Sequence, residues 1–423
     1  MKKVLSILII SIILVTCTTA YADNLSLEGQ AAVLMDFDTK EILYEKNMDM
    51  KLYPASTTKI MTAILALEHG SLDDIVTIDQ EVVNLTEGSH IALEPGENLT
   101  LEQMLNALLI PSANDAALGI AKHISGSVEG FAKLMNEKAE ALGATNTNFI
   151  NPNGLHEDNH YTTAHDLALI AQYAMNNETF RGIVNTVTYQ IEPTNKKEET
   201  RYLKNTNKLL FSSDKIYVDG NYISAKYEGA SGVKTGTTGQ AQYCLVSYAE
   251  REGQRLIAVV LKSSGNGVYS DSHKLLNYGF NNYSNATIGF KNEFVENIRI
   301  ENGLHPYVAG VLGSDFVFPL LDEDLDRVDV KVNLRGSLVA PINKGDILGN
   351  AEYYLDGRPI GKAEILSTMD VELDPMTKTS NKILSKWYLI VFALIVILRI
   401  VVLQKRMKKR PRRRSHRVPY GIK

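Results

Sequence analysis

The chain has 423 residues, too many for one small domain, and its 44% of apolar residues suffices for a sizeable core, while 22% charged residues argues against global disorder. The formal net charge of −5 hides a strong asymmetry. Of 44 Lys and Arg, 2 lie in residues 1–22 and 13 in residues 382–423, leaving 29 against all 49 acids in the middle: a body of −20 and a tail of +13 with no acid. So acidic a body disfavours nucleic acid as a partner.

Lys2 and Lys3 precede an apolar run from Val4 to Val15, and Thr18 to Ala22 ends in Ala-Tyr-Ala. This is the pattern of an export signal, residues 1–22, cleaved after Ala22. An uncleaved anchor is the plainer alternative, but the run is short for a span. A lipid-attachment site at Cys17 is poor because Thr16 is large for its position. The cleaved chain keeps only Cys244 of the two cysteines, so no internal disulfide forms.

Residues 23–285 read as mixed α/β, a sheet covered by a helical cluster. Two apolar runs between Ala31 and Tyr44 flank Asp38-Thr39-Lys40 and predict a hairpin. Ile60, Ala63, Ile64 and Leu67 repeat at helical spacing, as do Met104, Leu105, Leu108 and Leu109. Thr163 and Asp166 form a capping-box pattern ahead of a third helix. Gln242–Ala249 and Leu256–Lys262 predict strands joined at Glu252-Gly253.

After about residue 290 the pattern changes. Val328, Val330, Val332 and Leu334 alternate strictly with polar residues, and Asp356-Gly357 marks a hairpin turn. Residues 290–370 therefore predict a separate all-β domain, and the polar stretch 371–386 a linker. Residues 387–403 are an apolar run that begins with Trp387 and Tyr388 and is interrupted by Arg399, which lies near the end and can snorkel. Ten Lys or Arg follow from Lys405 to Lys423. This predicts one membrane-spanning helix, with residues 404–423 in the cytoplasm and the body outside. The alternative is a buried helix with a solvated basic tail.

Three short motifs carry chemistry. Ser56-Thr57-Thr58-Lys59 opens the first helical pattern, which puts Lys59 one turn from Ser56 on the same face. A neutral Lys59 can take the Ser56 proton and release a nucleophilic alkoxide. Ser-x-x-Lys is weak alone, since it recurs at Ser212…Lys215 and Ser231…Lys234, and the plainer reading of Ser56 is a helix cap. Ser112-Ala113-Asn114 places a hydroxyl and an amide in a loop between two helices. Ser112 can relay a proton and Asn114 can hold the lysine or a substrate amide. This motif also recurs, at Ser264…Asn266. Gly232-Val233-Lys234-Thr235-Gly236-Thr237 offers a cation and hydroxyls for a carboxylate, with Gly236 permitting close approach. A plain glycine-rich turn is its alternative.

The order of the three motifs on an exported chain is specific. The chain resembles the low-molecular-weight penicillin-binding proteins of the D-alanyl-D-alanine carboxypeptidase type. The resemblance extends to Asn153-Gly154-Leu155, Thr163–Ala168, Tyr243-Cys244-Leu245-Val246 and Ala340–Asp346. It implies that Ser56 is the acylated nucleophile, Lys59 its base, and Ser112 and Asn114 the proton relay. Lys234, Thr235, Gly236 and Thr237 then bind substrate, with backbone N–H groups of Ser56 and Thr237 as the oxyanion hole. The implied reaction removes the terminal D-alanine of peptidoglycan stem pentapeptides, with β-lactams as covalent inhibitors and no cofactor. A spanning C-terminal helix departs from the amphipathic surface helix common in the subfamily.

Rivals are a β-lactamase or an endopeptidase of the same fold and, from another class, a non-catalytic wall-binding or sensor protein. His156, His160, His165 and Asp158 suggest a metal site only weakly, because the stretch lies at a helix entry and the serine chemistry needs no metal.

Overall fold

The computed structural model describes residues 25–376 and 386–408. The export signal, with Cys17, lies outside the described residues, as do residues 377–385 of the linker and the tail from 409. The chain divides into two compact units, one up to Asn285 with Pro319–Asp322, the other Ala286–Phe318 and the chain from Glu323.

In the first unit, β1 (Ala31–Asp36) and β2 (Ile42–Lys46) form the hairpin expected around Asp38. The Asp36 carboxylate holds its turn by accepting from the backbone N–H groups of Asp38 and Thr39. Three later strands, β3 (Ala230–Thr238), β4 (Gln242–Arg251) and β5 (Gln254–Ser263), complete an antiparallel sheet of order β2-β1-β5-β4-β3. Glu252 and Gly253 both take positive φ between β4 and β5, the two-residue turn whose twist suits a hairpin. β1 pairs with β5 from Ala31 opposite Leu261 to Asp36 opposite Leu256, which closes the unit by joining its two ends.

The sheet is covered on both faces, not one. Val33, Met35, Val246 and Val259 point into a large core shared with α1 (Lys59–His69), α2 (Leu101–Leu109), α3 (Asn114–Ser125), α4 (Val128–Ala141), α5 (Ala164–Met175) and α6 (Glu178–Asn185). Their neighbours Leu34, Leu245 and Val260 point the other way, against α7 (Gly267–Asn282). Double coverage is why β1 reads AAVLMD without alternation. In α1, Lys59 through Ala66 are all buried, so this helix runs through the core instead of lying on it. Thr163 caps α5 by accepting from the Asp166 N–H. The Asp166 carboxylate does not reach back as in a full capping box; it accepts from Asn146 N and Thr147 Oγ1.

The second unit holds the expected β architecture. β6 (Phe294–Arg299), β7 (Tyr307–Leu312), β8 (Val328–Leu334), β9 (Ile347–Leu355) and β10 (Arg358–Ser367) form an antiparallel sheet of order β6-β7-β10-β9-β8. Two details differ from the sequence reading. The alternation in β8 does not mark a core strand: β8 is an edge, and Val330, Val332 and Leu334 are exposed. The fold also continues past residue 370 into the expected linker, because Val371 is fully buried and Leu373 packs on the same core. The final helix, α8 (Trp387–Lys408), runs beyond residue 403 and is long and apolar enough over Trp387–Met407 to cross a membrane.

Candidate active site

Ser56 does not sit in an α-helix. It lies in a 3₁₀ turn, Ala55–Thr58, that runs directly into α1. A 3₁₀ turn has three residues per turn, so positions i and i+3 eclipse, and this aligns Ser56 with Lys59. Lys59 Nζ lies 2.9 Å from Ser56 Oγ, 2.6 Å from Asn114 Oδ1 and 2.8 Å from the Asn153 carbonyl oxygen. Ala55 takes a left-handed φ of 50° to start the turn. Beneath it passes Gly154 at φ 81°, where a Cβ would overlap the Ala55 carbonyl. Only glycine satisfies both demands, and its position delivers the Asn153 carbonyl to Lys59.

Asn114 opens α3 and is held from both sides. Its Nδ2 donates to the Glu87 carbonyl at 2.6 Å, and its backbone N–H to the Ser89 carbonyl at 2.7 Å. Ser112, two residues earlier, has φ 70° and a buried hydroxyl with no hydrogen-bond partner among the described residues. Ser56, Ser112, Thr235, Gly236 and Thr237 line one cleft of about 360 Å³.

The third motif lies on β3, the edge of the sheet. Gly236 packs against the Ser56 turn: a Cβ there would lie 2.8 Å from the Pro54 carbonyl oxygen and 3.1 Å from Ser56 N. The tight contact that needs this glycine is therefore with the chain's own turn. Lys234 is 1% exposed, and its Nζ donates to the Thr235 carbonyl at 3.0 Å. Thr235 Oγ1 is 2.5 Å from Thr206 Oγ1. Ser231 cannot serve Lys234 as Ser56 serves Lys59, because residues three apart on a strand point to opposite faces.

Burial and the nearby charge of Lys234 hold the Lys59 ammonium well below the ordinary lysine value. Burial alone brings Lys234 down to about 7. Among the described residues no carboxylate hydrogen-bonds Lys59; its acceptors are a hydroxyl and two carbonyls. A neutral amine has two N–H donors and one lone pair. With Asn114 Oδ1 and the Asn153 carbonyl taking the two donors, the lone pair faces the Ser56 hydroxyl. That is the arrangement of a base beside its nucleophile.

The histidines near residue 160 do other work. His160 Nδ1 accepts from Ile150 N–H, so Nε2 carries the proton and meets Thr58 Oγ1 at 2.9 Å. Burial lowers its pKa to about 3, and it braces the turn as a neutral ring. His156 packs edge-on against Tyr53. Among the described residues no three His, Cys, Asp or Glu side chains converge as metal ligands.

Sequence reasoning missed several positions. The Asn153 carbonyl is a backbone group and carries no side-chain signal. Thr206, Lys208, Tyr243 and Asn266 line the cleft from segments far apart in the chain. In the sequence Asn266 stands only as the end of a recurring Ser-x-Asn, whose Ser264 hydroxyl turns to Glu28.

Residues 17–265 match the family described as D-alanyl-D-alanine carboxypeptidase, S11 peptidases. The chain belongs to the D-alanyl-D-alanine carboxypeptidase family. Residues 283–373 match the C-terminal domain of penicillin-binding protein 5, which accounts for the β unit and for its extension past residue 370. Among relatives of this carboxypeptidase family, DacF of Bacillus subtilis, a D-alanyl-D-alanine carboxypeptidase, is 34% identical over 88% of this chain and 95% of its own. The structure of penicillin-binding protein 5 from Haemophilus influenzae superposes with a TM-score of 0.67 at 28% identity, covering 82% of this chain and 98% of that one. The Streptomyces K15 DD-transpeptidase gives 0.55 at 34% identity over 60% of this chain and 98% of its own.

Proposed function

We propose that this chain is a serine-type D-alanyl-D-alanine carboxypeptidase that removes the terminal D-alanine from peptidoglycan stem pentapeptides, and that β-lactams acylate the same serine. The observation that carries the reading is Lys59 Nζ at 2.9 Å from Ser56 Oγ, with the lysine sealed from water and its proton destabilised by burial.

The substrate lies along the outer edge of β3, which has no strand partner among the described residues and can pair with an extended peptide. Lys234 and the Thr235 hydroxyl take its terminal carboxylate. Neutral Lys59 accepts the Ser56 proton as Oγ attacks the carbonyl carbon of the penultimate residue. The backbone N–H groups of Ser56 and Thr237 stabilise the oxyanion. Collapse breaks the C–N bond, and the leaving amine takes its proton through Ser112 from Lys59. Asn114 keeps the lysine aimed throughout. Water then cleaves the ester, with Lys59 accepting a proton from the water and Ser56 regaining its own.

The same reading assigns residues 1–22 to an export signal, 23–285 to the catalytic domain, 290–370 with its continuation through Leu373 to the β domain, and the stretch from 374 to 386 to a linker. Residues 387–403 are the membrane anchor and 404–423 a cytoplasmic tail. Supporting the anchor, 21 helical residues rise roughly 31 Å, against a hydrocarbon core of ~30 Å. The basic tail supports the inward direction.

A β-lactamase is the nearest rival, and one observation counts against it. No Asp or Glu lines the cleft among the described residues, so no carboxylate base is there to activate water against a penicilloyl ester. The test uses labelled penicillin and a pentapeptide. Label should map to a peptide containing Ser56, and Ser56→Ala should abolish both labelling and D-alanine release. Labelling that survives the substitution overturns the assignment. Penicillin turnover faster than D-alanine release makes the chain a β-lactamase, and absence of release from the wild type makes it a binding or sensor protein. A cross-linked dimer assayed in parallel reads endopeptidase activity.

A further inference from the structure

Lys208 is the single charged side chain lining the cleft among the described residues. Lys59 and Lys234 are nearly sealed, at 0% and 1% exposed, whereas the Lys208 side chain is 38% exposed. A carboxylate approaching from solvent therefore meets Lys208 first. The segment carrying it is firmly built. Asn207 is buried; its Nδ2 donates to the Gly232 carbonyl on β3 at 2.8 Å and its Oδ1 accepts from Leu209 N at 3.1 Å. Tyr269 donates its hydroxyl to the Thr206 carbonyl at 3.2 Å. This locks Thr206 against Thr235, whose hydroxyls are 2.5 Å apart, and sets Lys208 two residues further along the same wall.

The Lys208 ammonium is held at 2.8 Å by Asp214 and lies 5.8 Å from the centre of the Tyr269 ring. One of its three donors is engaged by Asp214, which leaves two for a ligand. Asp214 also competes with any incoming carboxylate, which makes the pair a tunable receptor.

We propose that Lys208 is a specificity-determining residue that attracts the terminal carboxylate of the substrate to the cleft and guides it to the paired hydroxyls of Thr206 and Thr235, an inference that rests on the reading of this cleft as a stem-peptide site. Its position at the cleft wall suits an electrostatic guide, while the buried Lys234 completes the contact once the peptide is seated.

The experiment uses the full chain in detergent and measures kcat/KM for a pentapeptide ending in D-Ala-D-Ala and for the same peptide amidated at its C-terminus. The acid-to-amide preference should fall about fivefold in Lys208→Ala, the scale of a partly exposed charge pair. It should fall further in Lys208→Glu and be kept in Lys208→Arg. It should rise in Asp214→Asn, which frees the ammonium, and that gain should vanish in the double variant with Lys208→Ala. The wild-type preference should weaken as salt rises. An unchanged preference in Lys208→Ala, or equal losses on both peptides, overturns the proposal. So does a change confined to peptides with a free side-chain carboxyl, which would assign Lys208 to that group. If the wild type releases nothing from either peptide, the carboxypeptidase reading itself falls, and that outcome is distinct from an active wild type with indifferent variants.

Discussion

Two buried lysines share this site, and what separates their tasks is their partners. Lys59 meets three neutral oxygens, which suits the proposed role of a base whose proton moves. Lys234 has one backbone acceptor among the described residues and the Thr235 hydroxyl beside it, which suits the proposed role of a cation for a ligand. Burial brings Lys234 to about 7. Below that pH it is cationic in the free enzyme; above it the proton is lost and attraction for a carboxylate declines. The acid-to-amide preference in kcat/KM, which reports the free enzyme, should therefore fall as pH rises through about 7. The pH-dependent part should disappear in Lys234→Ala and persist in Lys208→Ala. A preference that stays flat in the wild type to pH 9 would assign Lys234 a structural role. Lys59→Ala should slow acylation by about 10²–10⁴-fold, the contribution of a positioned base, and a near-normal rate would require another base.

At the scale of elements, the site depends on a 3₁₀ turn that is strained and then braced. Ala55 and Ser112 both hold left-handed φ, a cost of about 1–3 kcal/mol each that the surroundings offset. His160 braces Thr58, and the Asn153-Gly154 turn supports Ala55 from below. Gly154→Ala should therefore lose about 3 kcal/mol or more in thermal or denaturant unfolding, from overlap and an unfavourable φ together. It should also slow penicillin acylation, because the Asn153 carbonyl moves away from Lys59. Gly182→Ala is the control: it lies in α6 with open space around it, and alanine favours the helix. Equal melting behaviour of the two variants would refute the role given to Gly154.

For the whole molecule, the three short motifs all precede residue 240, and the proposed anchor lies more than a hundred residues beyond. Truncation after Asn381 should yield an exported, soluble protein that binds penicillin at the wild-type rate, read by labelling of the culture supernatant. External protease on wall-stripped cells should remove the body and spare an epitope placed in the basic tail. Digestion of that epitope from outside, or release of the full chain by high salt alone, would mean that Trp387–Met407 lies on the membrane surface instead of crossing it.

Local signals reached far into this protein. Helix stripes at 60–67 and 104–109, the Thr163 cap, the hairpins at Asp38, Glu252 and Asp356, and the ordered motifs around Ser56, Ser112 and Lys234 are all short-range patterns. Such patterns depend on backbone preference and amphipathic period, which the sequence alone determines. It also determined the charge asymmetry on which the proposed anchor and its direction rest. The tertiary structure decided everything that depends on distant segments meeting. Pairing of β1 with β5 closes the catalytic unit, and β3 then lies beside the Ser56 turn. That packing brings residues 56, 114, 153 and 234 together and separates the Ser56–Lys59 pair from its two look-alikes. It also exposes the alternating valines of β8 at a sheet edge, and it leaves Lys208 as the cleft's only charged wall residue among those described. None of these has a local signature, because a backbone carbonyl, an edge position and a cleft wall are relations between segments. They come into being only when burial of the two sheet faces draws those segments into one core.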